Sequence, residues 1–173
     1  MKDNISRNIR IEKLTLNIGA GKNTALLDKG LKLLKTISGV DPVKTITQKR
    51  IPAWGLRPGL PIGCKVTLRR DAARELLSKL LHAKSFVLKE SQFDDNGNVA
   101  FGIHEYIDIP SVKYDPEIGI IGLEVCVTLE RPGFRIKKRK LQTKRIPSRH
   151  RINKNDAIEF MRNQFKVKLG EEE

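Results

Sequence analysis

Aromatic residues and cysteines are scarce in this chain: 5% of its 173 residues are Phe, Tyr or Trp, including one Trp, and there are two Cys. Cys64 and Cys126 lie far apart in strand-like runs, with no C-x-x-C and no histidine at metal spacing, which argues against a zinc module or a disulfide scaffold. Both read as small, buried apolar residues of a reducing compartment. Long hydrophobic runs are also missing. The longest, Ile118 to Leu123, falls far short of the ~20 residues that cross a bilayer, and no N-terminal apolar stretch resembles a signal peptide. A cytoplasmic protein with no membrane partner is expected. Acidic residues are the third shortage: 20 Asp plus Glu face 34 Lys plus Arg, leaving a net charge of +14. Such a field attracts polyanions by steering and counterion release, so nucleic acid is the leading partner class.

What is present fits one compact domain able to bury a core. Residues Ile9 to Ile18 alternate as a strand with one slip, which a bulge near Glu12 or Lys13 explains, leaving Thr15 and Asn17 opposite Leu14, Leu16 and Ile18. After Gly19-Ala20-Gly21-Lys22, Asn23 or Thr24 caps an amphipathic helix with Leu26, Leu27, Leu31 and Leu34 inward, and Gly39 ends it. Val43 to Thr47 reads as a short strand with Thr45 and Thr47 on one face and Ile46 on the other. Gln48 to Gly63 holds three Pro and three Gly and is expected to be a long exposed loop. Cys64 to Arg69 alternates again, with Lys65, Thr67 and Arg69 outward. Asp71 is the expected N-cap of a second helix built on Ala72, Ala73, Leu76, Leu77, Leu80 and Leu81. Asp94 to Asn98 is a turn into a strand at Val99 to Ile103, and a longer strand runs from about Ile121 to Glu130. A last helix opens at Asn155 or Asp156 with Ile158, Met161 and Phe165 inward, before an acidic tail, Glu171 to Glu173. The fold class expected is α+β, a mostly antiparallel sheet with helices packed on one face and an open polar face for RNA.

That open face is the candidate binding surface. The outward sets of the first three strands are Thr15 and Asn17, Thr45 and Thr47, and Lys65, Thr67 and Arg69: hydroxyl, amide and cation, with no carboxylate. Such groups reach ribose hydroxyls and phosphate oxygens. Taken alone, the pattern is equally that of a solvated sheet face. Charge placement favours binding, because residues 44–70 hold seven Lys or Arg and no acid, whereas a merely solvated surface mixes its signs. Within that stretch lies a basic loop with Lys49, Arg50, Trp54 and Arg57, whose Trp can stack on a base or fold back onto the protein. Residues 131–151 read as a basic arm. From Arg135 to Arg151 nine of seventeen residues are basic and none acidic: Arg135, Lys137, Lys138, Arg139, Lys140, Lys144, Arg145, Arg149 and Arg151. A segment so charged is expected to meet a polyanion or stay mobile. Gly19-x-Gly21-Lys22 completes neither phosphate-loop motif, so Lys22 at a helix start is at most a single phosphate contact. No catalytic or metal constellation assembles. His104, Glu105 and Asp108 are the only spot that could seat a general base, and neither an enzyme nor a cofactor is expected.

Three segments carry a family resemblance: Leu16-Asn17-Ile18-Gly19-Ala20-Gly21, the Pro-Ile-Gly-Cys-Lys-Val-Thr-Leu-Arg run from Pro61 to Arg69, and Phe101-Gly102-Ile103-x-Glu105. Together they resemble the large-subunit ribosomal protein L-five family, which binds 5S ribosomal RNA, and the resemblance spans nearly the whole chain. It implies a non-catalytic role at the central protuberance, attaching 5S RNA to the large-subunit rRNA beside neighbouring ribosomal proteins, with a loop reaching toward tRNA in the peptidyl site. Carried onto matching positions, the RNA face is Asn17, Thr47, Lys65, Thr67 and Arg69, and the tRNA-facing loop is about Lys49 to Gly59. The Arg50-Ile51-Pro52-Ala53-Trp54 run and the stretch 131–151 depart from the shorter bacterial pattern and look like the archaeal and eukaryotic branch.

Overall fold

The computed structural model describes residues 4–110 and 112–170, so the acidic tail lies outside the described residues. The first strand, β1 (Arg10–Gly19), carries the bulge its sequence requires, with a register shift between Ile11 and Lys13. Helix α1 (Thr24–Ser38) is capped by the Asn23 side chain, which accepts from the Leu26 N–H at 3.1 Å, and stops at Gly39 with φ of 69°. Strand β2 (Val43–Ile46) leads through a loop to β3 (Pro61–Leu68), then α2 (Arg70–His82), β4 (Val87–Lys89), β5 (Asn98–Ile103), β6 (Leu123–Glu130), α3 (Lys154–Phe165) and β7 (Lys168–Gly170).

Five strands form an antiparallel sheet in the order β2-β3-β1-β6-β5, so the first strand sits at the centre. Leu14, Leu16, Ile18, Cys64, Val66, Leu68, Val125 and Val127 all point to one side and are buried. Against them pack α1, over β3, and α2, over β1. Helix α1 comes close because residue 30 is Gly: a Cβ there would meet Cys64 Sγ at 3.0 Å and Ile18 Cγ2 at 3.3 Å. The inner stripe of α2, Ala73, Leu76, Leu77, Leu80 and Leu81, is buried throughout. At 25 cal/mol per Å² each buried leucine contributes roughly 1.5–3 kcal/mol, which is what holds helices of this modest length in place.

Several expectations need correction. Cys126 alternates with Val125 and Val127 and so is half-exposed on the side away from the helices, whereas Cys64 is buried as expected. Strand β3 starts three residues early, at Pro61, because Gly63 pairs with both Gly19 and Thr45, and a strand's first residue tolerates proline. Helix α2 is preceded by Arg69 without a side-chain cap; Asp71 lies inside its first turn, where its charge meets the helix dipole. Helix α3 opens earlier than expected, with Asn153 and Asp156 forming a capping box. Strands β4 and β7 pair in parallel as a second, two-stranded sheet that no sequence alternation announced. A Tyr106 hydroxyl, fully buried, accepts from the Asp115 N–H at 3.0 Å and pins the long connection between β5 and β6.

Candidate nucleic-acid interface

Opposite the helices, the sheet presents the second residue set of each strand. Across the β1–β3 ladder Thr15 faces Thr67 and Asn17 faces Lys65, so four of the expected residues form one block, with Lys65 and Thr67 exposed and Thr15 and Asn17 half-exposed. Lys13, unassigned from sequence, extends the same row beyond Thr15. Thr45 joins at the edge, opposite Gly63 and half-buried. The close packing there depends on Gly63, where a Cβ would stand 2.7 Å from the Ile18 carbonyl oxygen and 3.0 Å from Thr45 Oγ1.

Thr47 does not belong to the block. A register shift between Thr45 and Ile46 breaks the alternation, and Thr47 turns inward to 7% exposure, its hydroxyl donating to the Leu60 carbonyl at 3.1 Å. Ile46, expected inside, is left 60% exposed. The face is also not free of acid. Strand β6, adjoining β1, places Glu124 and Glu130 on it, and the Asn17 amide donates to Glu124 Oε2 at 3.2 Å. The acid-free area is therefore the part built by β2, β3 and the Lys13–Gly19 portion of β1, since Glu12 stands at the other end of that strand.

Arg69, at the end of β3, is exposed but engaged: its guanidinium donates to the Glu12 carbonyl at 3.4 Å and stands 3.6 Å from the Glu12 carboxylate. Lys138 of the basic stretch closes on the same carboxylate and lies 3.8 Å from Glu130, while Arg10 pairs with Glu130 at 2.8 Å. Burial by itself raises the Glu12 carboxyl, but the hydrogen bond and charge of Lys138, with Lys13 and Arg69 nearby, hold it below the usual carboxylate range. Residues 131–151 are accordingly folded onto the body. Phe134 and Ile146 are buried, as is Ile152 just beyond, Arg131 pairs with Asp156 at 3.0 Å, and His150 Nε2 lies 3.0 Å from the Pro132 carbonyl. Composition hid this, because the anchoring acids lie outside the stretch itself: Glu130 and Asp156 just beyond its two ends, and Glu12 far away on the first strand. Arg135, Lys137, Lys140, Lys144, Arg145, Arg149 and Arg151 still face solvent, and Arg139 is half-buried, bonding the Gln142 carbonyl at 2.9 and 2.7 Å.

The loop of residues 47–60 is a tied hairpin. Ile51 and Leu56 exchange N–H···O bonds of 3.0 Å, and Thr47 is linked to Leu60 and Gly59 at 2.9 Å. Its tip is a short 3₁₀ turn, Pro52–Trp54, followed by Gly55 with φ of 59°. Trp54 is 67% exposed, so it does not fold back, and Lys49, Arg50 and Arg57 are exposed around it. Lys22, at the head of α1, lies across Gly55, so it braces the loop and stands outside the sheet block. His104, Glu105 and Asp108 are exposed, and among the described residues no group of His, Cys, Asp and Glu converges as metal ligands.

Comparison with known proteins settles the family. Residues 4–57 match ribosomal protein L5, and residues 61–160 match the C-terminus of the same ribosomal family. The chain belongs to the ribosomal protein L5 family. Similar proteins include the large ribosomal subunit protein uL5 of Sulfolobus acidocaldarius, 49% identical over 98% of this chain and 96% of the relative. That of Nanoarchaeum equitans is 51% identical over 94% and 96%, and that of Methanosphaera stadtmanae 43% over 96% and 99%. Similarity over nearly the full length of these relatives places this L5 chain in the archaeal-type branch. A member of this family is a structural protein and not an enzyme.

Proposed function

We propose that the chain is an RNA-binding constituent of the large ribosomal subunit that holds 5S rRNA on the acid-free part of its sheet and helps attach it to the large-subunit rRNA. The observation that carries this is the block Thr15, Asn17, Lys65 and Thr67, four side chains of ribose- and phosphate-binding type brought side by side across one ladder with no acid among them. Hydroxyl and amide groups of short reach on a preformed sheet suit the shape and backbone of folded RNA. Arg69 adds charge at one end, and the solvent-facing cations of residues 135–151 extend the field to neighbouring rRNA phosphates. The chain works as one unit, with the loop of residues 48–63 and the arm of 131–151 as its two extensions.

The hairpin loop has a different task. Its exposed Trp54, with Lys49, Arg50 and Arg57 around it, stands at the Gly19–Gly63 end of the sheet, while Arg69 and the arm lie at the opposite end. A tied, basic, aromatic-tipped projection suits contact with tRNA in the peptidyl site, and neighbouring proteins of the central protuberance complete the surroundings. Binding of 5S rRNA by the purified chain tests the division. Lys65→Ala and Thr67→Ala each weaken it by about 1 kcal/mol or more, the scale of hydrogen bonds to charged groups. Substitutions at 52–58 leave it unchanged. Equal losses from the two sets contradict the assignment.

A further inference from the structure

A second surface lies beyond that block. The first turn of α2, the last two turns of α3, the start of β1 and residues 133–138 enclose a cleft of about 820 Å³, and none of Thr15, Asn17, Lys65 or Thr67 lines it. Its volume falls within the roughly 300–1,000 Å³ of small-molecule sites. The lining is divided by chemistry. On one side Phe160, half-exposed, stands edge-on to the buried Phe165 at a centroid distance of 6.4 Å, with Ile9 beside it. On the other side are Arg70, Arg74 and Arg135, with one carboxylate, Asp71, at the start of α2 among them.

The charges differ in how far they are already satisfied. Glu12 and Glu130 are occupied by Lys138, Arg69 and Arg10. Arg74 donates to the Gln164 side-chain Oε1 at 2.9 Å, which fixes its guanidinium between α2 and α3. Arg70 and Arg135 are exposed and, among the described residues, form no ion pair. Arg70 is also held at φ of 56°, a conformation costly for a side chain with a Cβ. An apolar aromatic wall facing uncommitted guanidinium groups is complementary to a base joined to a phosphate, and to neither a bare anion nor an apolar peptide.

We propose that this cleft receives one unpaired nucleotide of RNA, with its base against Phe160 and its phosphate on Arg70 and Arg135. The inference rests on the reading of the chain as an RNA-binding protein; the cleft shares Arg69 and Arg135 with the cationic field assigned there but none of the four block residues, so variants of the block and of the cleft separate the two. In such a site the flipped base supplies contact area and the two guanidinium groups replace its counterions. The open face would then grip folded RNA by shape while the cleft grips a single-stranded element near the arm.

Anisotropy titrations of the full chain with labelled hexauridylate, and with an abasic ribose-phosphate oligomer of equal length, test it. The base-bearing oligomer binds about fivefold or more tighter, the effect of stacking one base. Arg70→Gln with Arg135→Gln, both at exposed positions, lowers that affinity about tenfold through loss of two charged contacts. Phe160→Leu, with folding checked by thermal denaturation, erases the preference for bases. Lys65→Ala and Thr67→Ala weaken 5S rRNA binding but leave hexauridylate binding unchanged. Equal binding of the abasic oligomer, equal binding of uridine monophosphate alone, or loss in the sheet variants with none in the arginine variants overturns the proposal.

Discussion

Thr47 shows how a single side chain separates folding from binding. Its hydroxyl is committed to the Leu60 carbonyl at 3.1 Å and its exposure is 7%. Thr47→Val keeps the shape and removes one hydrogen bond, so urea denaturation registers a loss of about 1 kcal/mol while 5S rRNA affinity stays at the wild-type value. A fall in affinity without a fall in stability would return Thr47 to the binding surface. Gly63 is the reverse case, a residue whose lack of a side chain lets β1, β2 and β3 close up. Gly63→Ala crowds backbone rather than a flexible side-chain end and costs about 1–3 kcal/mol of stability. The alternation of β1 and β3 made Thr15, Asn17, Lys65 and Thr67 legible from sequence. Thr47 was not, because a bulge on an edge strand leaves no mark in a four-residue pattern.

Among the elements, the helices were the most readable, since leucines at helical spacing, Asn23 and Gly39 each encode a local decision. Pairings between distant segments were not readable: β4 with β7, Glu124 beside Asn17, and the arm on Glu12. The arm illustrates the reason. Its nine cations dominate its composition, yet Phe134 and Ile146 anchor it and two strand carboxylates receive its Lys138. Glu12 is lowered below its unfolded pKa, so its contribution to docking is complete above the ordinary carboxylate range and is lost as pH falls through the lowered value. Hydrogen exchange at the Lys138 and Arg139 amides, which both bond the Arg135 carbonyl at 2.9 Å, reads this directly. Protection holds at neutral pH, declines on acidification below the carboxylate range, and is already reduced at neutral pH in Glu12→Gln. Protection identical in the variant would show that Phe134 and Ile146 suffice.

For the whole molecule, a net charge of +14 guarantees attraction to any polyanion, so affinity alone says little about where RNA lies. If about five phosphates are neutralised, the logarithm of the 5S rRNA binding constant falls with the logarithm of salt concentration at a slope of roughly −3.5 to −4.5. A slope near zero would remove the electrostatic part of the account. Position is tested by reversing one charge in two places. Lys65→Glu, in the block across β1 and β3, and Lys168→Glu, exposed on β7 in the separate two-stranded sheet, change the net charge equally. The account predicts that 5S rRNA affinity drops about thirtyfold for Lys65→Glu, the scale of a charged hydrogen bond turned to repulsion, and stays near wild type for Lys168→Glu. Equal losses in the two variants would mean that the RNA senses total charge and that the sheet face does not select it.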